Sequence, residues 1–295
     1  MMKRCARPHY PGMSITLSDL TRPPPSSTRP RSLDTRDVRR VRLPNRCELE
    51  YVERGDPIAP PVIFLHGITD SWWSFRQLIE RAPRDVRCFA LSQRGHGNSQ
   101  RPPKGYRQSD FADDVIAFMD EFGIQRASIV GHSMGSIVAQ TVAAKYPERV
   151  TKLALIGSAT TFATKEVRDL VAHLATLDVI PRDLAYDFQV GTMRLPIPKS
   201  MLEAFVDESM KVPLRVWRDA FAGLLEHDGP SHLRAIEAPT AVFWGAYDAY
   251  CSREEQARLC ESIKDCRFFS YDDLAHAPHW EDPDRVAREL FAFVR

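Results

Sequence analysis

The sequence predicts an α/β fold in which a mostly parallel sheet is covered by helices on both faces. Three observations carry this. From residue 38 to the end, short apolar runs alternate with amphipathic helical patterns, the rhythm of a parallel sheet built from strand–helix units. The run PVIFL at 61–65 is apolar throughout, as a strand buried on both faces requires. The rhythm breaks only once, over residues 160–228, which hold several helical stretches and no convincing strand.

Taken in order, Val38–Leu43 and Cys47–Val52 read as two strands joined at Pro44-Asn45, followed by the strand Pro61–Leu65 and a helix over 71–82. Val86–Leu91 is a strand. The helix over 108–122 puts Phe111, Val115, Phe118 and Phe122 on one face. Ala127–Val130 is a strand, Gly135–Lys145 a helix that stops before Pro147, and Leu153–Ile156 a strand. Pro181, Pro196, Pro198 and Pro213 punctuate the helical stretch. Alternation resumes with the strand Thr240–Trp244, a helix at 253–263, the strand Arg267–Ser270 and a helix at 283–294 whose stripe is Val286, Leu290 and Val294. The expected organisation is a body of residues 38–159 and 233–295, with residues 160–232 inserted as a helical cap over the carboxyl ends of the strands, where open α/β sheets bind ligands.

The 295 residues are 43% apolar and 27% charged, ordinary globular usage with enough apolar material for a large core. Net charge is +1, which argues against a protein built to hold nucleic acid or an anionic membrane. The charge is uneven. Residues 1–46 hold 11 Lys/Arg against 3 Asp/Glu and 7 of the 22 prolines, so residues 1–37 read as a disordered basic, Pro-rich tail on a mildly acidic body. A nucleic-acid arm or transit peptide is the alternative. No apolar run reaches the ~18 residues of a membrane span, and no secretory signal core is present. The six cysteines are scattered without a C-x-x-C pair, which points to free thiols in a reducing cytoplasm; spacing alone does not support a Cys260–Cys266 disulfide.

The strongest chemical signal is Gly131-His132-Ser133-Met134-Gly135, a G-x-S-x-G pattern between a strand and a helix. A sharp turn there presents the serine at the sheet edge and needs small residues on either side. A Gly-rich turn with a capping serine is the plainer reading. A serine nucleophile needs a base. His276, in the loop between the last strand and last helix, returns to the same sheet edge; His279 is its rival, or a pocket or packing residue. Asp248, after the preceding strand, stands where an acid could orient that base, or where an Asp could cap a turn. Two oxyanion donors are expected from the backbone N–H groups of Met134 and of Ile68, with His66 supporting the latter's loop.

On the pieces LHG at 65–67, QRGHGNS at 93–99, GHSMGS at 131–136, FWGAYD at 243–248 and HAPHWEDP at 276–283, the sequence resembles the α/β-hydrolase superfamily over roughly residues 38–295. The resemblance implies an eight-stranded sheet with a cap after the sixth strand, Ser133 as nucleophile, Asp248 and His276 as acid and base, and Ile68 and Met134 as oxyanion donors. Its nearest flavour is the group of small carboxylesterases, haloperoxidase-like perhydrolases and carbon–carbon bond hydrolases. The family often carries an acid just before R-G-x-G-x-S; here the chain reads Leu91-Ser92-Gln93-Arg94.

Epoxide hydrolases and haloalkane dehalogenases of this fold use an Asp nucleophile, so a serine favours attack on a carbonyl. The expected activity is hydrolysis of small, rather apolar carboxylic esters or lactones through an acyl-enzyme. Alternatives are carbon–carbon hydrolysis or perhydrolysis, for which Arg168, Arg194 and Arg215 could bind a second carboxylate, and a non-catalytic ligand-binding protein. Trp72, Trp73 and Phe75 are expected in the core or in a pocket wall. Phe188, Met193, Phe205, Met210, Trp217 and Phe221 could line an apolar site or bind the cap to the body. No cofactor is expected: His276 and His279 form an H-x-x-H without completing a zinc set, and no nucleotide motif occurs. The expected partner is a small-molecule substrate, with no nucleic acid and no membrane, and the chain a cytoplasmic monomer or homodimer.

Overall fold

The computed structural model describes Leu33 and residues 37–295. The tail expected at residues 1–37 therefore falls outside the described residues, apart from Leu33 and Asp37.

Eight strands form one sheet: β1 (Val38–Arg42), β2 (Glu48–Arg54), β3 (Pro61–Leu65), β4 (Arg87–Ser92), β5 (Ala127–His132), β6 (Val150–Ile156), β7 (Thr240–Gly245) and β8 (Cys266–Tyr271). Their order is β1-β2-β4-β3-β5-β6-β7-β8. The first two strands pair antiparallel, and everything from β4 to β8 is parallel. The helices are α1 (Arg76–Glu80), α2 (Gln108–Glu121), α3 (Met134–Lys145), α4 (Lys165–Ala175), α5 (Arg182–Val190), α6 (Lys199–Met210), α7 (Leu214–Leu225), α8 (Gly229–Arg234), α9 (Arg253–Ser262), α10 (Pro278–Glu281) and α11 (Pro283–Val294).

The central strands are apolar throughout because each face packs against a separate core. Ile63 and Leu65 enter the core shared with α2 and α3, whereas Val62 and Phe64 enter the core shared with α1 and α11. Leu153 and Leu155 alternate with Ala154 and Ile156 in the same way. This is the two-residue period of a strand applied to a sheet covered on both sides. On α2, Phe111, Val115 and Phe118 are buried, and the Phe118 ring meets Tyr51 and Phe89 edge-on at 5.4 Å. Burying one such ring is worth about 1.5–3 kcal/mol.

Expected and observed elements differ in instructive places. The helix expected over 71–82 is a 3-10 turn at Trp72–Phe75 followed by α1. The Ser71 hydroxyl accepts from Trp73 N and caps the tighter turn. Trp72 and Phe75 are buried in the core beneath α11, while Trp73 is half-buried and stacks on Trp72. The short α10, missed in the sequence, starts at Pro278, a residue suited to the first helical turn.

The departure at Ser92 has a structural counterpart. The buried Glu50 of β2 reaches the segment from the neighbouring strand. Ser92 Oγ and Asn98 N donate to its Oε2 at 2.8 and 3.1 Å, and Asn98 Nδ2 donates to Oε1 at 2.6 Å. Gly97 has φ +53, and a Cβ there would sit 2.6 Å from the same carboxylate. An acid thus anchors the R-G-H-G-N-S turn from a different strand. Arg94 of that segment makes a two-pronged ion pair with Asp114 of α2.

The five described cysteines are free thiols, with Cys260 and Cys266 in contact where α9 hands over to β8. No helix of the described residues is long and apolar enough to cross a membrane.

Candidate active site

Ser133 sits between the last residue of β5 and the first of α3 with φ 51 and ψ −120, a left-handed conformation that costs a side-chain-bearing residue about 1–3 kcal/mol. Hydrogen bonds hold it there. Its N–H donates to Ile156 O of β6 at 3.0 Å, and its carbonyl accepts from Ser136 N and Ser136 Oγ at 2.8 and 2.6 Å. The flanking glycines are required by space. A Cβ on Gly131 would lie 2.2 Å from Gly135 O, and one on Gly135 would lie 2.0 Å from Leu65 O. The turn can form only because both side chains are absent.

Asp248 and His276 meet from separate loops. His276 Nδ1 donates to Asp248 Oδ2 at 2.8 Å, with the carboxylate buried. The other carboxylate oxygen accepts from Tyr250 N and Cys251 N at 2.8 and 3.0 Å, which fixes its plane. The His276 loop is held from three sides. His132 Nε2 donates to His276 O at 3.2 Å, Ala277 N donates to Thr192 O at 3.0 Å, and Ala275 N donates to Glu281 Oε2 at 2.7 Å. Gly157, at φ +52, lets the loop pass: a Cβ there would be 2.4 Å from His276 O. Among the described residues no hydrogen bond joins the Ser133 hydroxyl to His276, but both line one cavity. Such contacts commonly tighten only when substrate is bound.

His279 is placed differently. It is fully buried, stacks on Phe75 and shares a 3.4 Å contact with Ser74 Oγ. Burial pushes its pKa down to about 3. His132 is likewise held well below the ordinary histidine range by burial and by the neighbouring histidines. His66 bridges two loops: Gln93 N donates to its Nε2 at 2.9 Å, so its Nδ1–H is the group that donates to Gly67 O at 2.7 Å. The N–H groups of Ile68 and Met134 have no hydrogen-bond partner among the described residues. Met134 N is a first-turn helix donor, and Ile68 lines the cavity.

The cavity has about 70 Å³ open to the centre of a water molecule. Its walls come from loops and from helices. Gly67, Ile68, Ser133 and His276 lie on loops at the sheet edge; Val167 and Leu170 are on α4, Phe188 on α5, Phe221 and Leu224 on α7. Of the aromatic and methionine side chains expected there, only Phe188 and Phe221 line it. Trp217 packs behind them, and Phe205 stacks on Trp280 at 4.2 Å with Met193 beside it. Met210 is exposed. The three arginines are engaged elsewhere: Arg168 on Ala163 O, Arg194 over the Tyr247 ring, and Arg215 on Pro102 O and Arg101 O.

Asp248, Cys251 and His276 are the described group whose ligand atoms come within metal-binding distance of one another. The donor set does not fit an ion. His276 Nδ1 already spends its proton on Asp248 at 2.8 Å, and burial and the nearby carboxylate push the Cys251 thiol well above its usual range, away from the thiolate a metal needs.

The family model of the alpha/beta hydrolase fold matches residues 60–283. The chain belongs to the α/β-hydrolase fold family. Within this family it is similar to epoxide hydrolase 1 of Caenorhabditis elegans, at 32% identity over 90% of this chain and 72% of that protein. It is 35% identical to the 2-(acetamidomethylene)succinate hydrolase of Mesorhizobium japonicum over 46% of this chain and 48% of that one. Among solved structures, an esterase from Exiguobacterium antarcticum superposes with a TM-score of 0.80 at 19% identity, covering 86% of this chain and 98% of the other. As an α/β hydrolase the protein has the eight-stranded, mostly parallel sheet expected of it.

Several site residues carry no sequence signal of their own. Glu281 lies inside HAPHWEDP, yet its role appears only in space: Oε2 holds Ala275 N, while Oε1 accepts from Arg194 N and Leu195 N. Asp70, three residues past Gly67, is buried in the cavity, and burial pushes its carboxyl up to about 8. The buried Glu208 adds to the rise, while hydrogen bonds from Gln189 and Ser74 oppose it. The folded chain therefore holds a proton on Asp70 that the unfolded chain releases above about pH 4. The Asp70 contribution to stability should fall as pH rises from about 4 to about 8, by at most about 1.4 kcal/mol per pH unit. Buried His66, His96, His132 and His279, held neutral in the fold, take up protons on unfolding below about pH 7.5 and add an opposite slope, which wild type and an Asp70 variant share. The stability difference between wild type and Asp70→Asn in urea unfolding should therefore shift against wild type between about pH 5 and about pH 8; a difference that does not change with pH would contradict the assignment.

Proposed function

We propose that this α/β hydrolase is a serine hydrolase that cleaves small, uncharged, rather apolar carboxylic esters or lactones through an acyl-enzyme. Ser133 Oγ attacks the acyl carbon while His276 Nε2 takes its proton. Asp248 keeps the imidazole proton on Nδ1 and stabilises the imidazolium that forms. The Ile68 and Met134 N–H groups receive the developing oxyanion, with the positive end of α3 adding to them. His276 then returns the proton to the leaving group and activates the water that releases the acid. Residues 160–232 act as a cap closing the pocket over the body formed by 38–159 and 233–295.

The observation that carries this reading is the 2.8 Å Asp248–His276 pair opening onto the cavity that holds Ser133 at its left-handed turn. A serine makes epoxide opening a poor fit despite the likeness to an epoxide hydrolase, since displacement at a saturated carbon calls for a carboxylate nucleophile. The lining supports a neutral substrate. It contains no Lys or Arg, and the ionised Glu166 would repel a dicarboxylate of the kind one relative is named for. With its three arginines turned away, the chain has little to offer the second carboxylate that carbon–carbon hydrolysis was expected to need. The free thiols suit the cytoplasm. The test is turnover of p-nitrophenyl butyrate and its dependence on the Ser133 hydroxyl; turnover undiminished without that hydroxyl would refute the reading.

A further inference from the structure

The wall of the cavity beside Ser133 carries two polar side chains that the proposed reaction does not use. Asp70 and Gln189 both line it and are 2% and 1% exposed. They come from different parts of the chain, Asp70 from the loop after β3 and Gln189 from α5. Asp70 Oδ2 lies 3.2 Å, and Ser133 Cβ 3.3 Å, from the point a Gly67 side chain would occupy. The carboxyl and the serine thus approach one another across a glycine whose missing side chain leaves the space open.

We propose that Asp70 and Gln189 form a polar subsite that recognises an uncharged hydroxyl group on the substrate, a few bonds from the scissile carbonyl. The proposal rests on the hydrolase reading of Ser133 and names its substrate class more narrowly.

The Gln189 amide is fixed in orientation. Its Nε2 donates to Asp70 Oδ1 at 2.9 Å and to Ser209 Oγ at 2.8 Å, with Thr69 Oγ1 at 3.4 Å. That leaves Gln189 Oε1 buried with no partner. An unmet buried acceptor has lost its water without gaining a donor, so a ligand that donates to it removes that penalty. Asp70 supplies the complement. Its raised pKa keeps a proton on the carboxyl near neutrality, so it can donate. The charged group facing it from α6 is Glu208, paired with Lys211; the histidines nearby on β5 and α10, His132 and His279, are neutral. A hydroxyl donates and accepts at once, and so answers both groups. An alkyl chain answers neither. A carboxylate would place its charge against Gln189 Oε1 in a cavity without a cation.

Calorimetric titration of Ser133→Ala protein at about pH 7 tests this without turnover. Ethyl 3-hydroxybutyrate should bind at least about tenfold tighter than ethyl butyrate, with monoethyl succinate weakest. Adding Gln189→Leu should bring the two neutral esters within about twofold of each other, whereas adding Asp70→Asn, which keeps a donor at that position, should preserve the preference. Equal or undetectable binding of the two neutral esters to the Ser133→Ala protein overturns the proposal, as does a preference that survives Gln189→Leu. Failure of the hydrolase reading shows separately, as wild-type protein that turns over no ester.

Discussion

Ser133→Ala is expected to lower kcat/KM for p-nitrophenyl butyrate by about four to six orders of magnitude while leaving the far-UV circular dichroism unchanged. The size of the loss follows from how the residues act as a unit: without the hydroxyl, the imidazole has no serine proton to accept and no acyl-enzyme forms, which leaves only slow direct attack by water. The fold should survive because the turn is held by backbone contacts, Ser133 N to Ile156 O and Ser136 to Ser133 O, which alanine retains. Alanine has no easier access to φ 51 than serine, so the strain is also retained. A residual rate would reflect binding and the two N–H donors alone.

Asp248→Asn is the second large effect, expected at about four orders of magnitude in kcat near pH 7. The substituted amide would keep an oxygen for Tyr250 N and Cys251 N, which now hold Asp248 Oδ1 at 2.8 and 3.0 Å. Its NH₂ group then faces His276. The imidazole must turn a lone pair toward it at Nδ1 and carry its proton on Nε2, the position that should receive the proton of Ser133. The geometry survives and the tautomer is wrong. Melting temperature should change little, because both backbone donors stay satisfied, whereas Asp248→Ala would lose stability as well. A drop in kcat of less than about tenfold for Asp248→Asn would show that Asp248 does not set the tautomer of the working base.

The parts of the molecule legible in the sequence are those in which local pattern and global position agree. PVIFL reads as a doubly buried strand because every second side chain meets a different core, and the strained turn at Ser133 announces itself through Gly131 and Gly135, where no Cβ fits. The loops after β7 and β8 must return to the edge where Ser133 stands, so Asp248 and His276 could be proposed from topology alone. What could not be read depends on partners far away along the chain. Glu50 replaces an acid expected near Ser92 because β2 happens to pair with β4, and one sequence does not reveal that substitution. In the helical block, periodicity identifies apolar faces but not what they face. Phe221 reaches the cavity, Trp217 four residues earlier on α7 packs behind it, and Phe205 turns to Trp280. Gln189 looks like any polar residue of a half-exposed helix until Asp70 and Ser209 are seen on either side of its amide.

The central claim is that Ser133 is made nucleophilic by His276 and lies open to a small electrophile. Incubation with a fluorophosphonate probe, followed by intact mass and peptide mapping, tests it most directly. One probe per chain on Ser133, with labelling slowed severely in His276→Ala, is the expected result. Folded wild-type protein that stays unlabelled, or that takes the probe at another residue, would contradict it.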